Sequence, residues 1–237
     1  MKDSNRLVVT RHTTLERLSH YGIIASLAGL AVSGFAIYLG LPWLEYSDAF
    51  AVHIISAAAF VAISLIVVPY SAISDGRLTE YWFWLSDARR LWAALSSFFT
   101  GGEYPRYTVY DERKKRFRNR LHPAGKLLLY SHYAALLVAA PTGLVLYSTD
   151  VSLAGVNVSG VILKVLDFAA PALTLSGLGL ARLLHIAAAY WFVIEVVLHV
   201  GMVLHPKKFQ HVKSIFVDGK ENLMADPTAE ILNALEE

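Results

Sequence analysis

Four stretches of about twenty apolar residues, each nearly devoid of charge, constrain this chain more than anything else in it, because a helix of that length spans the hydrocarbon of a bilayer. They lie at about Ser19–Leu39, Ala49–Tyr70, Gly125–Tyr147 and Leu180–Leu204. Composition agrees: 55% of residues are hydrophobic and 17% charged. The expected fold class is therefore all-α integral membrane, a four-transmembrane-helix bundle forming one membrane domain over 1–237. Thr13 followed by Glu16 forms a capping-box signal before the first span, and Pro42, Pro123 and Pro206 stand at or near helix boundaries. The polar N-terminal arm does not read as a secretory leader, so the first apolar segment is expected to stay as a span.

Positive residues gather on the cytoplasmic side of membrane proteins. All but two of the 21 Lys and Arg residues fall in the N-terminal arm, in the connection 71–124 with Lys126 just after it, or in the tail 206–237. The two exceptions, Lys164 and Arg182, are left for the opposite face, whose connections instead carry Glu45, Asp48, Asp150 and Asp167. Both termini are thus expected in the cytoplasm. A surface helix is expected near Ala88–Phe99. In the stretch 151–179, Val161, Ile162, Val165, Leu166 and Phe168 suit a helix lying in the membrane interface or a surface covered by a partner. The tail reads as an interfacial strip with a short, partly ordered end, and no internal repeat is visible. A formal net charge of +2 gives no reason to expect a nucleic-acid partner.

The chain has no cysteine, which excludes disulfides, thiolate metal sites, cysteine-held iron–sulfur clusters and covalent haem attachment through C-x-x-C-H. Histidine is the remaining metal ligand of note, and ionisable groups inside spans are usually functional. His185 and His199 share the fourth span, separated by about 21 Å of rise and roughly 40° short of four full turns. Two stacked haem b groups, each taking one axial imidazole from a common helix, require that spacing. With the termini inside, His20 matches the depth of His199, and His53 matches that of His185. Bis-histidine ligation of two haems suits electron transfer across the membrane. Arg182, almost one turn before His185, is a candidate for pairing with a haem propionate, or an interfacial anchor. His132, near mid-depth on the third span, is the rival ligand or a hydrogen-bonding partner of another helix. Gly22, Gly29, Gly34 and Gly143 permit close approach to the helices, without an assigned role.

A cytochrome of this kind needs a mobile redox partner, and membrane quinone is the candidate. His122 and Lys126 stand four apart and can present donors toward one cleft. Glu195, one turn before His199, is expected either to support that imidazole or to relay protons. The candidate quinone site is therefore His122, Lys126, Glu195 and His199.

These residues resemble a known family, the prokaryotic membrane-anchor cytochromes b that include the formate dehydrogenase gamma subunit, the nickel–iron hydrogenase b-type cytochrome and the thiosulfate reductase cytochrome b subunit. The resemblance rests on T-L-E-R-L-S-H-Y-G at 14–22, A-V-H at 51–53, R-L-H-P-A-G-K at 120–126, and R-L-L-H at 182–185 with His199 and M-V-L-H-P-K-K-F at 202–209. It implies haem ligation by His20 with His199 and by His53 with His185, and quinone beside His122, Lys126 and His199. In the formate dehydrogenase branch the corresponding segment reads N-A-G-Q-K; here His122 stands for the asparagine and Gly125 for the glutamine. The resemblance further implies an iron–sulfur subunit on the outer side, a catalytic subunit with a molybdenum or tungsten pterin or a nickel–iron centre, and a prokaryotic cell membrane. Two other readings stand beside it: a haem-free anchor or small transporter whose histidines handle protons or metal ions, and a transmembrane electron carrier fed by ascorbate or a metal-chelate reductant.

Overall fold

In the computed structural model, residues 6–232 are described; Lys2, counted among the basic residues of the N-terminal arm, and residues 233–237 of the tail lie outside them. Strand β1 (Val8–Thr10) leads into helix α1 (Thr14–Leu39), followed by α2 (Tyr46–Ser74), the shorter α3 (Leu85–Thr100), strands β2 (Thr108–Asp111) and β3 (Arg116–Asn119), and helix α4 (Pro123–Tyr147). A small hairpin of β4 (Ser152–Leu153) and β5 (Val156–Asn157) precedes α5 (Val158–Ala169) and α6 (Gly177–Val203). The tail forms α7 (Phe209–Lys213), β6 (Lys220–Asn222) and β7 (Ala229–Leu232). Among the described residues, helices α1, α2, α4 and α6 are the four long and apolar enough to cross a membrane, so the chain is an all-α membrane bundle with small strands added.

The helix ends follow from local chemistry. The Thr13 amide donates to Glu16 Oε2 (2.8 Å) and the Glu16 amide to Thr13 Oγ1 (3.3 Å), which closes the capping box at the start of α1. Inside α2, Ile63–Val67 winds as a π-helical turn, so the helix passes Pro69 without an α-helical amide at that position. Helix α3 begins where the Trp84 amide donates to Asp87 (2.9 Å) and stops at Gly101, whose φ of +68° is the left-handed cap that glycine takes most readily. It starts slightly before and ends slightly after the surface helix expected from the sequence. Leu85, Trp92, Leu95 and Phe99 share its exposed apolar face, the arrangement of a helix suited to a membrane surface.

The chain divides into two compact units. One comprises Gly29–Ala57 and Tyr130–Leu198. Its core is a cluster of Val145, Leu166, Ala170, Leu180 and Ala181. Helix α5 belongs here, and its apolar residues separate by face: Leu166 is buried and Ile162 packs on the cluster, whereas Val161, Val165 and Phe168 are exposed. The Asp167 carboxylate accepts from the Gly177 amide at 2.8 Å and so caps the start of α6.

The other unit comprises Met1–Ala28, Ala58–Leu129 and His199–Glu237. Here the basic connection and the tail are folded together. Strand β2 pairs antiparallel with β3 and parallel with β7, and β1 pairs antiparallel with β6. Three arginines and three glutamates tie these segments into one balanced network. Arg120 reaches Glu80 (2.7 Å), Glu16 (2.9 Å) and the Arg11 carbonyl; Arg11 reaches Glu221 (2.6 Å); Arg77 reaches Glu16 (2.9 Å). Buried guanidinium groups persist only when paired in this way.

Candidate haem and quinone sites

Each unit contains one pair of facing histidines. The rings of His53 (α2) and His185 (α6) have centres 6.2 Å apart at 64°, and those of His20 (α1) and His199 (α6) 6.4 Å apart at 49°. A metal held by two imidazole nitrogens through bonds of about 2 Å sets the ring centres ~6 Å apart. Both pairs have that separation.

The local sequence explains how the first pair is held. Helix α4 carries A-A-P-T-G at 139–143. The His185 Nδ1–H lies 3.1 Å from the Ala139 carbonyl, an obligate acceptor, and 3.2 Å from Thr142 Oγ1. Thr142 in turn donates to the Val138 carbonyl (2.6 Å), so its hydroxyl oxygen faces the ring as an acceptor. With the proton fixed on Nδ1, the lone pair is on Nε2, the tautomer a metal requires. Gly143 completes the seat: a Cβ there would lie 3.0 Å from His185 Cε1.

Helix α1 repeats this arrangement for His53 with L-A-V-S-G at 30–34. The Leu30 carbonyl accepts from the His53 ring, Ser33 Oγ lies 3.2 Å from Nδ1 while donating to the Gly29 carbonyl (2.6 Å), and a Cβ on Gly34 would lie 3.2 Å from His53 Cε1. Carbonyl, hydroxyl and glycine occupy the same relative positions in both seats. Gly22 and Gly29 act differently, admitting Ile63 and Ser56 between helices.

At the second pair, His20 Nδ1 is buried without a hydrogen-bond partner, and the ring packs edge-on against Phe216 at 5.4 Å. This ring has no Nδ1 acceptor of the kind that steadies His53 and His185, but two imidazoles facing one another at this separation fit a metal-bound role. Both pairs therefore fit a haem with two axial imidazoles.

His132 has a different environment. Its Nδ1 lies 3.2 Å from Glu195 Oε1, with Tyr133 and Phe192 against the ring. Glu195, expected beside His199, is thus held by His132, while its Oε2 is buried without a partner. Arg182 is exposed in the unit that holds His185.

The residues expected to contact quinone divide in the same manner. Lys126 is fully buried, and its ammonium donates to Asp87 (2.8 Å) and to the Trp82 carbonyl (3.0 Å), pinning α4 to the start of α3. His122 instead joins a cluster of aromatic and basic groups. Its Nδ1 accepts from the Ala124 amide (3.1 Å), so its proton is on Nε2 and is donated to Tyr104 Oη (2.8 Å). Burial, then the nearby Lys208 ammonium, hold the His122 pKa down to about 3, and burial pushes that of Tyr104 up to about 12. Both groups are neutral at physiological pH, with the Tyr104 hydroxyl proton retained as a donor. His205 stacks on Tyr104 at 5.0 Å, the edge of Tyr107 meets His122 at 4.8 Å, and the buried Lys208 ammonium lies over both tyrosine rings at 5.6 and 5.8 Å. The sequence reading missed Tyr104, Tyr107 and Lys208, which lie in polar segments where aromatic and basic residues are ordinary.

Comparison with known proteins identifies the family. A family model described as prokaryotic cytochrome b561 matches residues 11–217. The F420 non-reducing hydrogenase II cytochrome subunit of Methanosarcina mazei is 33% identical over 236 residues, an alignment covering 94% of this chain and 87% of that protein. No solved structure matches the chain. From the matched span and this relative, the chain belongs to the prokaryotic cytochrome b561 family, multi-pass membrane proteins that hold haem b.

Proposed function

We propose that the chain is a di-haem cytochrome b subunit of a respiratory oxidoreductase, carrying electrons between a partner protein and a quinone-type carrier in the membrane. The observation that carries this reading is the pair of imidazole couples with ring centres 6.2 and 6.4 Å apart. His53 with His185 would hold one haem b, and His20 with His199 the other. Held by two imidazoles, such a group would supply reversible one-electron transfer.

The protein's own residues do the rest. Ala139, Thr142, Leu30 and Ser33 orient the imidazoles and keep their protons on Nδ1. Arg182 would pair with a haem propionate, a role supported by its exposure in the unit that holds His185. At the carrier site, Tyr104 donates to a carbonyl oxygen, His122 orients that hydroxyl from behind, and Lys208 stabilises negative charge on the reduced headgroup. Lys126 acts indirectly by holding α3 in place. The His132–Glu195 pair, half-buried within spans, is suited to holding a proton.

The family and the M. mazei relative, a hydrogenase cytochrome subunit by name, support a hydrogenase-type catalytic partner reached through an iron–sulfur subunit. Cytoplasmic termini follow from the distribution of Lys and Arg. In that orientation an outer partner and an inner carrier site move charge through the membrane potential, about 2.3 kcal/mol per elementary charge per 100 mV.

Haem content and the reduced-minus-oxidised spectrum of the purified chain test this, together with His185→Ala and His199→Ala. The expected result is two haems in the wild type and the loss of a different one in each variant. A single haem per chain, or a variant that keeps both, would overturn it.

A further inference from the structure

We infer that the folded tail contains a divalent-cation site made by His211, Glu221 and Asp226. His211 Nε2 lies 3.1 Å from Glu221 Oε1 and 3.1 Å from Asp226 Oδ2, and the three ligand atoms lie within 4.8 Å of one another. Both carboxylate side chains are 0% exposed. A cation bonded at about 2 Å to a histidine nitrogen and two carboxylate oxygens brings its ligand atoms this close.

Proximity alone would also suit a histidine bridging two acids, but the hydrogen bonding does not. His211 has one proton to give at Nε2, and it goes to Asp226 Oδ2. Glu221 Oε1, at the same distance, lies outside hydrogen-bond geometry and has no donor at all. A carboxylate oxygen buried without a donor is costly. Its place in the cluster is explained by a cation that all three atoms share.

The surroundings complete the argument. The far oxygen of each acid is already held: Glu221 Oε2 by Arg11 at 2.6 Å, and Asp226 Oδ1 by the Thr228 amide and hydroxyl, both at 2.9 Å. Tyr107 Oη stands 3.1 Å from His211 Nδ1; with a cation bound, the imidazole proton would move to Nδ1 and be donated to Tyr107, leaving the Nε2 lone pair for the metal. Outer contacts of this kind orient ligands at metal centres. The two acids and Arg11 sum to one negative charge, so a dication is electrostatically welcome. An imidazole ligand selects zinc or a similar transition ion over magnesium or calcium, which take oxygen ligands.

Zinc is the probe for the test. Full-length, haem-loaded protein is stripped with EDTA, given zinc, desalted and assayed for zinc and iron together; reading haem iron in the same samples separates this test from that of the haem assignment. The expected result is one zinc retained per chain and a melting temperature raised several degrees by zinc and lowered again by EDTA. Asp226→Asn and His211→Gln should each weaken zinc binding at least tenfold, with iron content unchanged. If His211→Gln fails to fold, Asp226→Asn, which keeps the shape and the Thr228 contacts, decides alone. Failure of the wild type to retain zinc, or equal retention by a folded variant, would overturn the inference.

Discussion

Small residues decide how the imidazoles are held. Gly143 and Gly34 leave room for the rings of His185 and His53, with a Cβ at 3.0 and 3.2 Å already tight. Gly143→Val should therefore displace His185 and cost the protein one haem while the His20–His199 site keeps its own, read as haem per chain. Thr142→Val removes an acceptor from His185 Nδ1. The imidazole becomes a weaker electron donor, and the midpoint potential of that site should rise by tens of millivolts in a redox titration. Tyr104→Phe should slow electron delivery to a quinone analogue severalfold while leaving the haem spectrum unchanged. His122 titrates at about 3 when folded and near 6.5 when unfolded. Between those values the unfolded chain binds more protons, so this contribution to stability is complete above pH 6.5 and is lost as pH falls toward 3. In His122→Gln, unfolding measurements should show a flatter acid limb.

At the level of elements, Lys126 and Asp87 form the join between α4 and α3, each 1% exposed at the side chain. Removing one partner strands the other charge, so Lys126→Ala should cost about 3–5 kcal/mol, whereas replacing both by apolar residues of similar size should restore most of the melting temperature. This pair shows where sequence reading stops. The four spans are legible because a bilayer demands about twenty apolar residues in a row, and His185 and His199 are legible because helical spacing puts them on one side. Lys126 and Glu195 were visible as unusual charges, but their partners, Asp87 and His132, lie far away in sequence, and periodicity carries no information about such pairs. The strands were hidden for the same reason: β2 takes its parallel neighbour from the tail, where four residues of ordinary composition pair across more than half the chain. The alternation of faces in α5 was equally hidden, because all five apolar residues fit one interfacial stripe until Leu166 is seen packed on Val145 and Ala181.

For the molecule as a whole, the arginine–glutamate network, the strands and the tail make the polar part of the fold an ordered body. Arg120→Ala would leave Glu80 and Glu16 without their shared partner, and broad loss of protease resistance across residues 6–28, 71–122 and 206–232 is the expected result, measured by limited proteolysis. The repeated seat on α1 and α4 has a larger consequence. Both imidazoles of the His53–His185 couple give their Nδ1 protons to protein acceptors, which would make them richer ligands and favour the ferric state of an iron they held. His20 has no such acceptor. The two centres should therefore differ in redox potential, with the His53–His185 couple the lower, and the wave lost in His185→Ala should be the more negative of the two. With haem at both couples, such a difference would favour passage of an electron from the His53–His185 centre to the His20–His199 centre, so a five-residue pattern used twice would set which of the two gives up its electron more readily.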